Sequence, residues 1–452
     1  MAELPPTGST VLLRLRTWSG EIEEQGIIMP PAAANHVTMK LVNGYNISHP
    51  SEAILGCEVL AKPESATTPS SSGKPAKQKE DLPRVRIIHT GGTIASKVDY
   101  ATGAVVARFE PEELLASIPE LSKVARSDAV KIGNMWSDDM RPQHWNTIAK
   151  ASADAFADGV AGVVVTHGTD TLAISACALS FSWAGAGNCP PGRIVFTGSQ
   201  RSSDRGSTDA NENLLASVYW AANGPSPNGG LGDSTVVMLH SSADDGEIAV
   251  LPGCSARKLH STRRDAFQAI NSTPLGHVHL ARGGISHTLS DEYANALANT
   301  PSRGQAPPTE FSENIRIGQL ISGAHLHADM VNATAAAGYS ALVIHGTGLG
   351  HLPIENPNAN APENEELGQA IGAVIKGGMP VVIANQCIHG PVNMNVYSKG
   401  RIQQELGILG QANNSSPEAV IVKCHWSLSQ GRNLSQDMMQ NLVGENPSSI
   451  KE

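Results

Sequence analysis

Charged residues, aromatic rings and paired cysteines are all sparse in this chain of 452 residues. Charged side chains make up 16%, against roughly 25% in an average globular domain, yet 40% of the residues are hydrophobic, enough to build buried cores and to exclude wholesale disorder. Lys and Arg number 32 against 42 Asp and Glu, a net charge of −10, so a general attraction to polyanions is missing and unaided nucleic-acid binding is disfavoured. No run of about 18 apolar residues is present to span a bilayer, and the opening MAELPPTGST lacks the basic-then-apolar plan of a signal peptide. A cytoplasmic location away from membranes is expected. The six cysteines (Cys57, Cys177, Cys189, Cys254, Cys387, Cys424) are dispersed without a C-x-x-C pair, which argues against disulfides and a structural zinc. Aromatic residues are only 4%, whereas 44 glycines and 28 prolines exceed the usual share and favour a fold with many tight turns.

At roughly 150 residues per domain the length predicts two or three domains. Residues 1–61 read as four or five short strands (Val11 to Trp18, Gly26 to Met29, His36 to Val42, Ala53 to Leu60) separated by turns at Gly20, Asn43-Gly44 and Pro50. That pattern predicts a small all-β, SH3-like barrel used as an interaction module. Residues 62–83, KPESATTPSSSGKPAKQKEDLP, offer almost nothing to bury and read as a flexible linker. From Arg84 short apolar strands (Val85 to His89, Gly162 to Thr166, Arg193 to Thr197, Thr235 to His240) alternate with helices such as Pro142 to Ala157 and Asn211 to Ala222. This is the signature of an α/β domain, over 84–298, with a parallel sheet covered on both faces. A Pro-rich stretch at 299–312 marks an inter-domain linker. The alternation then restarts (Ile315 to Leu320, Ala328 to Ala337, Ala341 to Ile344, Leu367 to Lys376, Val381 to Ala384), predicting a smaller α/β domain over 313–452. No solenoid-type repeat is visible.

Two segments sit where open parallel sheets form ligand sites, beyond the carboxyl ends of strands. The first is His89-Thr90-Gly91-Gly92-Thr93-Ile94-Ala95-Ser96, the second Thr166-His167-Gly168-Thr169-Asp170-Thr171. The first taken alone is also consistent with a structural turn and a capping threonine; no lysine follows its glycines as a phosphate-binding loop requires. Together they bring hydroxyls and a carboxylate to one crevice. A threonine hydroxyl becomes a nucleophile only beside a base that is itself held by a third group. A lysine can be that base where its surroundings favour the neutral form, and Asp170 is a candidate to orient it.

TGGTIAS and THGTDT, in this order with about seventy residues between, resemble the two signature segments of the bacterial-type L-asparaginases, and the likeness runs from Arg84 to the C-terminus. It implies a two-domain asparaginase-like body, Thr93 as the attacking threonine, Thr169 as the second threonine and Asp170 as its acidic partner, which also meets the substrate α-amino group. The family's lysine falls on Lys258, from its distance to the following Asp265-Ala266-Phe267. Asn134-Met135-Trp136-Ser137-Asp138-Asp139-Met140 matches the segment that holds the substrate α-carboxylate through a serine, here Ser137, which could instead cap the helix near Pro142. Backbone N–H groups at Gly168 and Thr169 are placed to form an oxyanion hole, and Gly92 and Asp138 complete the expected substrate-binding set.

The additional N-terminal module, the Ser96-Lys97-Val98-Asp99-Tyr100-Ala101-Thr102-Gly103-Ala104-Val105 segment and QCIHGPVNMNVYSKGR (386–401) extend the resemblance over nearly the whole chain, to the D-type subunits of archaeal glutamyl-tRNA(Gln) amidotransferases. This implies a glutaminase whose ammonia passes to an E-type partner of the amidotransferase, where ATP and Mg activate Glu-tRNA(Gln), in a heterotetramer containing a homodimer of this chain. Such a partner would supply the tRNA contact, and this chain itself would carry no cofactor. A free-standing L-asparaginase is the alternative. Tyr100 matches a lid tyrosine near the nucleophile, at a shorter spacing than in asparaginases. Where asparaginases place an asparagine from a neighbouring protomer, this chain has Gly346-Thr347-Gly348-Leu349-Gly350-His351, too weak a match for a dinucleotide loop. The pairs His277/His279 and His325/His327 lack a matching carboxylate cluster, and no metal site is expected.

Overall fold

A computed structural model describes residues 4–17, 20–29, 31, 35–41, 46–62, 79–92, 94, 96–98, 105–107, 118–201 and 208–446. Thr93, Tyr100 and most of the 62–83 stretch lie outside the described residues. Among those described, no helix is long and apolar enough to cross a membrane.

The N-terminal module is a five-stranded antiparallel sheet: β1 (Thr10–Thr17), β2 (Gly20–Met29), β3 (His36–Leu41), β4 (Asn46–Pro50) and β5 (Ile54–Ala61), in the order β4-β3-β2-β1-β5. Alternation along β1 puts Val11, Leu13 and Leu15 inside, against Ile28, Val37 and Met39. Two register shifts between β1 and β5 interrupt the ladder, the irregularity that bends a sheet around so small a core.

The main body holds eight strands in one sheet: β6 (Arg84–His89), β9 (Arg126–Lys131), β10 (Gly162–Thr166), β11 (Arg193–Thr197), β12 (Val236–His240), β13 (Glu247–Pro252), β16 (Gly276–Ala281) and β17 (Gly284–Leu289). Between these in chain order lie the short strands β7 (Ser96–Val98), β8 (Val105–Ala107), β14 (Ala256–Lys258) and β15 (Phe267–Ala269), which pair as two hairpins, β7 with β8 and β14 with β15. The order is β17-β16-β13-β12-β11-β10-β6-β9. Strands β9, β6, β10, β11 and β12 are parallel, as the apolar runs imply, with one hydrophobic cluster on each face of the sheet. The far edge departs from the all-parallel expectation, for β12, β13, β16 and β17 pair antiparallel. The link from His240 to Glu247 is too short for a helical crossover, so β13 must turn back on β12. β17 alternates exposed and half-buried residues, as a sheet face open to water requires.

Helices α1 (Pro142–Ala157), α2 (Leu172–Ala184) and α3 (Ala210–Asn223) flank this sheet, and α4 (Asp291–Asn299) follows it. Helix α2 is apolar all round because it is buried all round. Residues 299–312 lie along the main body: the Asn146 side chain makes two hydrogen bonds to the Phe311 backbone, Thr309 N–H donates to the Ser182 carbonyl, and Phe311 is buried.

The C-terminal unit is a parallel sheet of β18 (Ile317–Ile321), β19 (Ala341–Gly346) and β20 (Val381–Asn385), with α5 (Ala328–Ala336), α6 (Pro362–Lys376), α7 (Ser398–Glu405), α8 (Pro417–Ser429) and α9 (Leu434–Met438). Helix α8 joins the two units. Its Val420 and Cys424 pack with Val343 and Val382 of the small sheet, while Ala419, Val422 and Trp426 pack with Ala178 and Phe181 of α2. A Cβ on Gly185 would lie 2.6 Å from the Trp426 ring, so close an approach needs glycine there.

Candidate active site

Parallel pairing fixes the crevice. β10 lies between β6 and β11 with Thr166 opposite His89 and Thr197, so the segments after three neighbouring strands leave the sheet at one level. Gly91 and Gly92 have φ of +126° and +88°, conformations that glycine adopts without strain. They also admit close neighbours: a Cβ on Gly92 would lie 2.6 Å from the Gly168 nitrogen, and one on Gly168 would lie 2.8 Å from Ser137 Cβ and Oγ. The 90–92, 133–139 and 166–171 segments thus touch closely. Thr90 N–H and Oγ1–H both donate to the Thr166 carbonyl, at 3.2 and 3.0 Å, and Met135 N–H donates to the Thr90 carbonyl at 3.1 Å. Ile94, buried in the main core, anchors the chain immediately past residue 93.

Three of the expected catalytic residues meet. Lys258, at the end of β14, donates from Nζ to Thr169 Oγ1 and to Asp170 Oδ1, both at 2.8 Å. The lysine side chain is 14% exposed while the Asp170 carboxylate is 70% exposed, so the trio sits at the mouth of the crevice. Thr169 accepts from the lysine, which leaves its own proton available to another acceptor. Ser137 is buried and opens a short 3-10 turn over Ser137–Asp139; its carbonyl accepts from Thr171 Oγ1 at 2.6 Å, and its Oγ lies 3.4 Å from the Thr171 nitrogen. The N-cap of α1 is Arg141, so the capping role weighed for Ser137 does not occur. Asp138 is exposed beside it.

Two buried histidines support these segments. His167 Nδ1 is 2.7 Å from the Gly168 carbonyl and Nε2 is 2.9 Å from Ser175 Oγ; His89 Nδ1 is 2.8 Å from Thr166 Oγ1. Burial pushes both down to about 4, with Lys131 adding to the effect at His89. A neutral His167 must therefore carry its proton on Nδ1, facing the carbonyl, and accept from Ser175 at Nε2.

The segment after β11 carries no motif that marks it in the sequence. Asp209, fully buried, accepts from Ser199 Oγ, from the Gln200 and Arg201 N–H groups and from Asn213 Nδ2. It holds the 198–201 turn against the site, where a Cβ on Gly198 would lie 3.0 Å from Thr169 Cγ2. The Asp before a helix in Thr208-Asp209-Ala210 looks like a cap, yet its carboxylate serves the preceding turn instead.

The other sequence candidates take structural places. Thr347 and His351 close a turn after β19, and Gly350, at φ +96°, packs where a Cβ would meet Val392 and Ile383. His279 faces Glu247 and Thr288, while His325 and His327 are exposed. Among the described residues, Glu212, His240 and Asp245 bring ligand-type atoms within 4.8 Å of one another. The Arg264 guanidinium already lies among them, 2.6 Å from both His240 Nε2 and Asp245 Oδ1, so these donors face a fixed positive charge.

Residues 84–291 match the family model described as "Asparaginase, N-terminal", and residues 316–441 match "Glutaminase/Asparaginase C-terminal domain". The chain is 37% identical over 421 residues to the D-type subunit of glutamyl-tRNA(Gln) amidotransferase from Thermofilum pendens, covering 90% of this chain and 85% of that protein. It is 35% identical to the protein of the same name from Sulfolobus acidocaldarius, covering 94% and 89%. Among solved structures, the thermostable L-asparaginase from Thermococcus kodakarensis superposes with a TM-score of 0.65 at 26% identity, over 81% of this chain and 100% of that one. L-asparaginase I from Vibrio cholerae gives 0.64 at 26%, over 81% and 99%.

Proposed function

The chain belongs to the asparaginase family, in the branch of the D-type glutamyl-tRNA(Gln) amidotransferase subunits, and from that membership we propose how the site's residues divide the work of a glutaminase. Thr93 Oγ1 attacks the side-chain carbonyl carbon of glutamine. Its proton passes by way of Thr169 and Lys258 to the amide nitrogen, the C–N bond breaks, and ammonia leaves while a glutamyl ester of Thr93 remains. Water then adds to the ester, returns a proton to Thr93 and releases glutamate. Asp170 orients Lys258 and receives the substrate α-amino group; Ser137, with Asp138 beside it, receives the α-carboxylate. Gly92 and Gly168 let the substrate reach the backbone, and N–H groups at Gly168 and Thr169 stabilise the oxyanion, each such donor being worth about 3 kcal/mol.

The observation that carries this reading is Lys258 bridging Thr169 and Asp170 at 2.8 Å each, because a threonine hydroxyl needs both a base and a group that orients it. In the same proposal the ammonia serves the E-type partner, which holds ATP, Mg and Glu-tRNA(Gln). This chain contributes a homodimer to a heterotetramer in the cytoplasm, and its net −10 charge leaves tRNA capture to the partner. The test is ammonia release from glutamine and from asparagine, by the chain alone and with the E-type partner, ATP and Glu-tRNA(Gln). Glutamine turnover that rises sharply in the full mixture is expected, and Thr93→Ala should lower kcat by about a thousandfold or more with the fold intact. Rapid asparagine hydrolysis independent of any partner would identify a free-standing asparaginase instead. Near-normal turnover by the variant would remove Thr93 from the mechanism.

A further inference from the structure

Lys258 reaches the site from a strand that no large sheet supports. Strand β14 is three residues long and, among the described residues, pairs only with β15, outside the eight-stranded and three-stranded sheets. Side chains alternate along a strand, so the residue before the lysine points to the opposite side. There Arg257 Nη2 meets Glu418 Oε1 at 3.2 Å. Glu418 lies in the first turn of α8, behind the N-cap Ser416, where a carboxylate is favoured by the helix dipole. The two side chains are 28% and 27% exposed, and the second carboxylate oxygen, Oε2, is buried with no hydrogen-bond partner among the described residues. His345 of β19 stands in the same field: burial lowers its pKa, with Glu418 opposing and Arg257 reinforcing that shift. One short strand therefore reaches the catalytic trio with one side chain and the C-terminal unit with the next.

We propose that Arg257 and Glu418 are positioning residues that tie β14 to α8, so that the reach of Lys258 to Thr169 and Asp170 depends on how the C-terminal unit is seated on the main body. The inference rests on the catalytic reading of Lys258 given above. A partly exposed ion pair of this kind contributes little to overall stability. A shift of about 1 Å in a catalytic group, by contrast, lowers a rate by up to about a hundredfold. The signature is consequently a loss of turnover with the fold and substrate affinity retained.

The experiment measures kcat and KM for glutamine in the full chain assembled with its amidotransferase partner, for Arg257→Gln, Glu418→Gln, the double variant and Lys258→Met, with thermal unfolding as the check on folding. Each single variant is expected to lose about tenfold in kcat with KM within about twofold, and the double variant to lose no more than either single one, as for two groups acting as a unit. Unchanged kcat in both singles, beside an inactive Lys258→Met, would overturn the positioning role and leave the lysine reading standing. Losses that multiply in the double variant would overturn it as well, since the two residues would then act separately. An active Lys258→Met would instead overturn the reading of the lysine itself.

Discussion

Adding one methyl group at Gly168 tests whether the site is assembled by contact between its loops. Gly168 needs no special backbone angle, so the effect of Gly168→Ala comes from space alone. The new Cβ would lie 2.8 Å from Ser137 Cβ and Oγ and 3.3 Å from the Ser137 nitrogen. Ordinary carbon contacts are about 3.5–4.0 Å, so the 137–139 turn or the 168–170 segment has to move by roughly 0.8 Å. Overpacking of this size costs about 1–3 kcal/mol of stability, which leaves a protein of two large cores folded. The same displacement at a reacting centre costs about a hundredfold in rate, or about 2.7 kcal/mol of transition-state stabilisation. Glutamine-dependent ammonia release by Gly168→Ala should thus show kcat/KM lower by about two orders of magnitude, with circular dichroism unchanged and a modestly lower unfolding midpoint. Gly304→Ala is the matched control, for its Cβ meets nothing within 4 Å and its backbone angle is ordinary. A folded Gly168→Ala protein within about threefold of the parent would refute the claim that direct loop packing sets the site.

Two further outcomes concern stability. His89 and His167 are held neutral, pushed from 6.5 down to about 4, so the unfolded chain binds protons that the folded one refuses; stability should fall as pH drops below about 6.5 and the loss should be complete below about pH 4, by roughly 3 kcal/mol per histidine. Urea unfolding midpoints measured from pH 7 to pH 4 check this: the slope should be shallower in each of His89→Asn and His167→Asn and shallowest in the double variant, and variant slopes equal to the parent's would take these two rings out of the effect. Lys423 and Glu445 form a buried pair at 2.6 Å, 3% and 0% exposed, with Glu445 also accepting from the Leu442 and Val443 N–H groups. Lys423→Met leaves that carboxylate uncompensated and should cost about 3–5 kcal/mol, seen as a shift in the denaturant midpoint, with Lys423→Met/Glu445→Gln recovering much of it.

The strands of the parallel half, the all-β N-terminal module and the two signature segments are legible in the residues because their causes are local. An apolar run such as Gly162–Thr166 has to be buried on both faces, alternation in β1 has to bury one face, and a glycine pair after a strand has to turn. Thr169, Asp170 and Ser137 were expected at the site from segments that carry their own signature. Lys258 was reachable only by its spacing from a neighbouring segment, for β14 by itself has no pattern that marks it. The joining of two units through α8 depends on partners far apart in the chain, whereas the antiparallel edge of the main sheet and the turn held by Asp209 join residues close in sequence that no local pattern marks. Glu418 and Arg257 are distant in sequence, and nothing near either one announces the other. Local sequence determined the strands of the parallel half and the alternation of the N-terminal module, because propensity, alternation and turn geometry act over a few residues. Which side chains meet was decided only by the packed fold, since burial and hydrogen bonding between distant segments exist only once the sheet and α8 have brought them together.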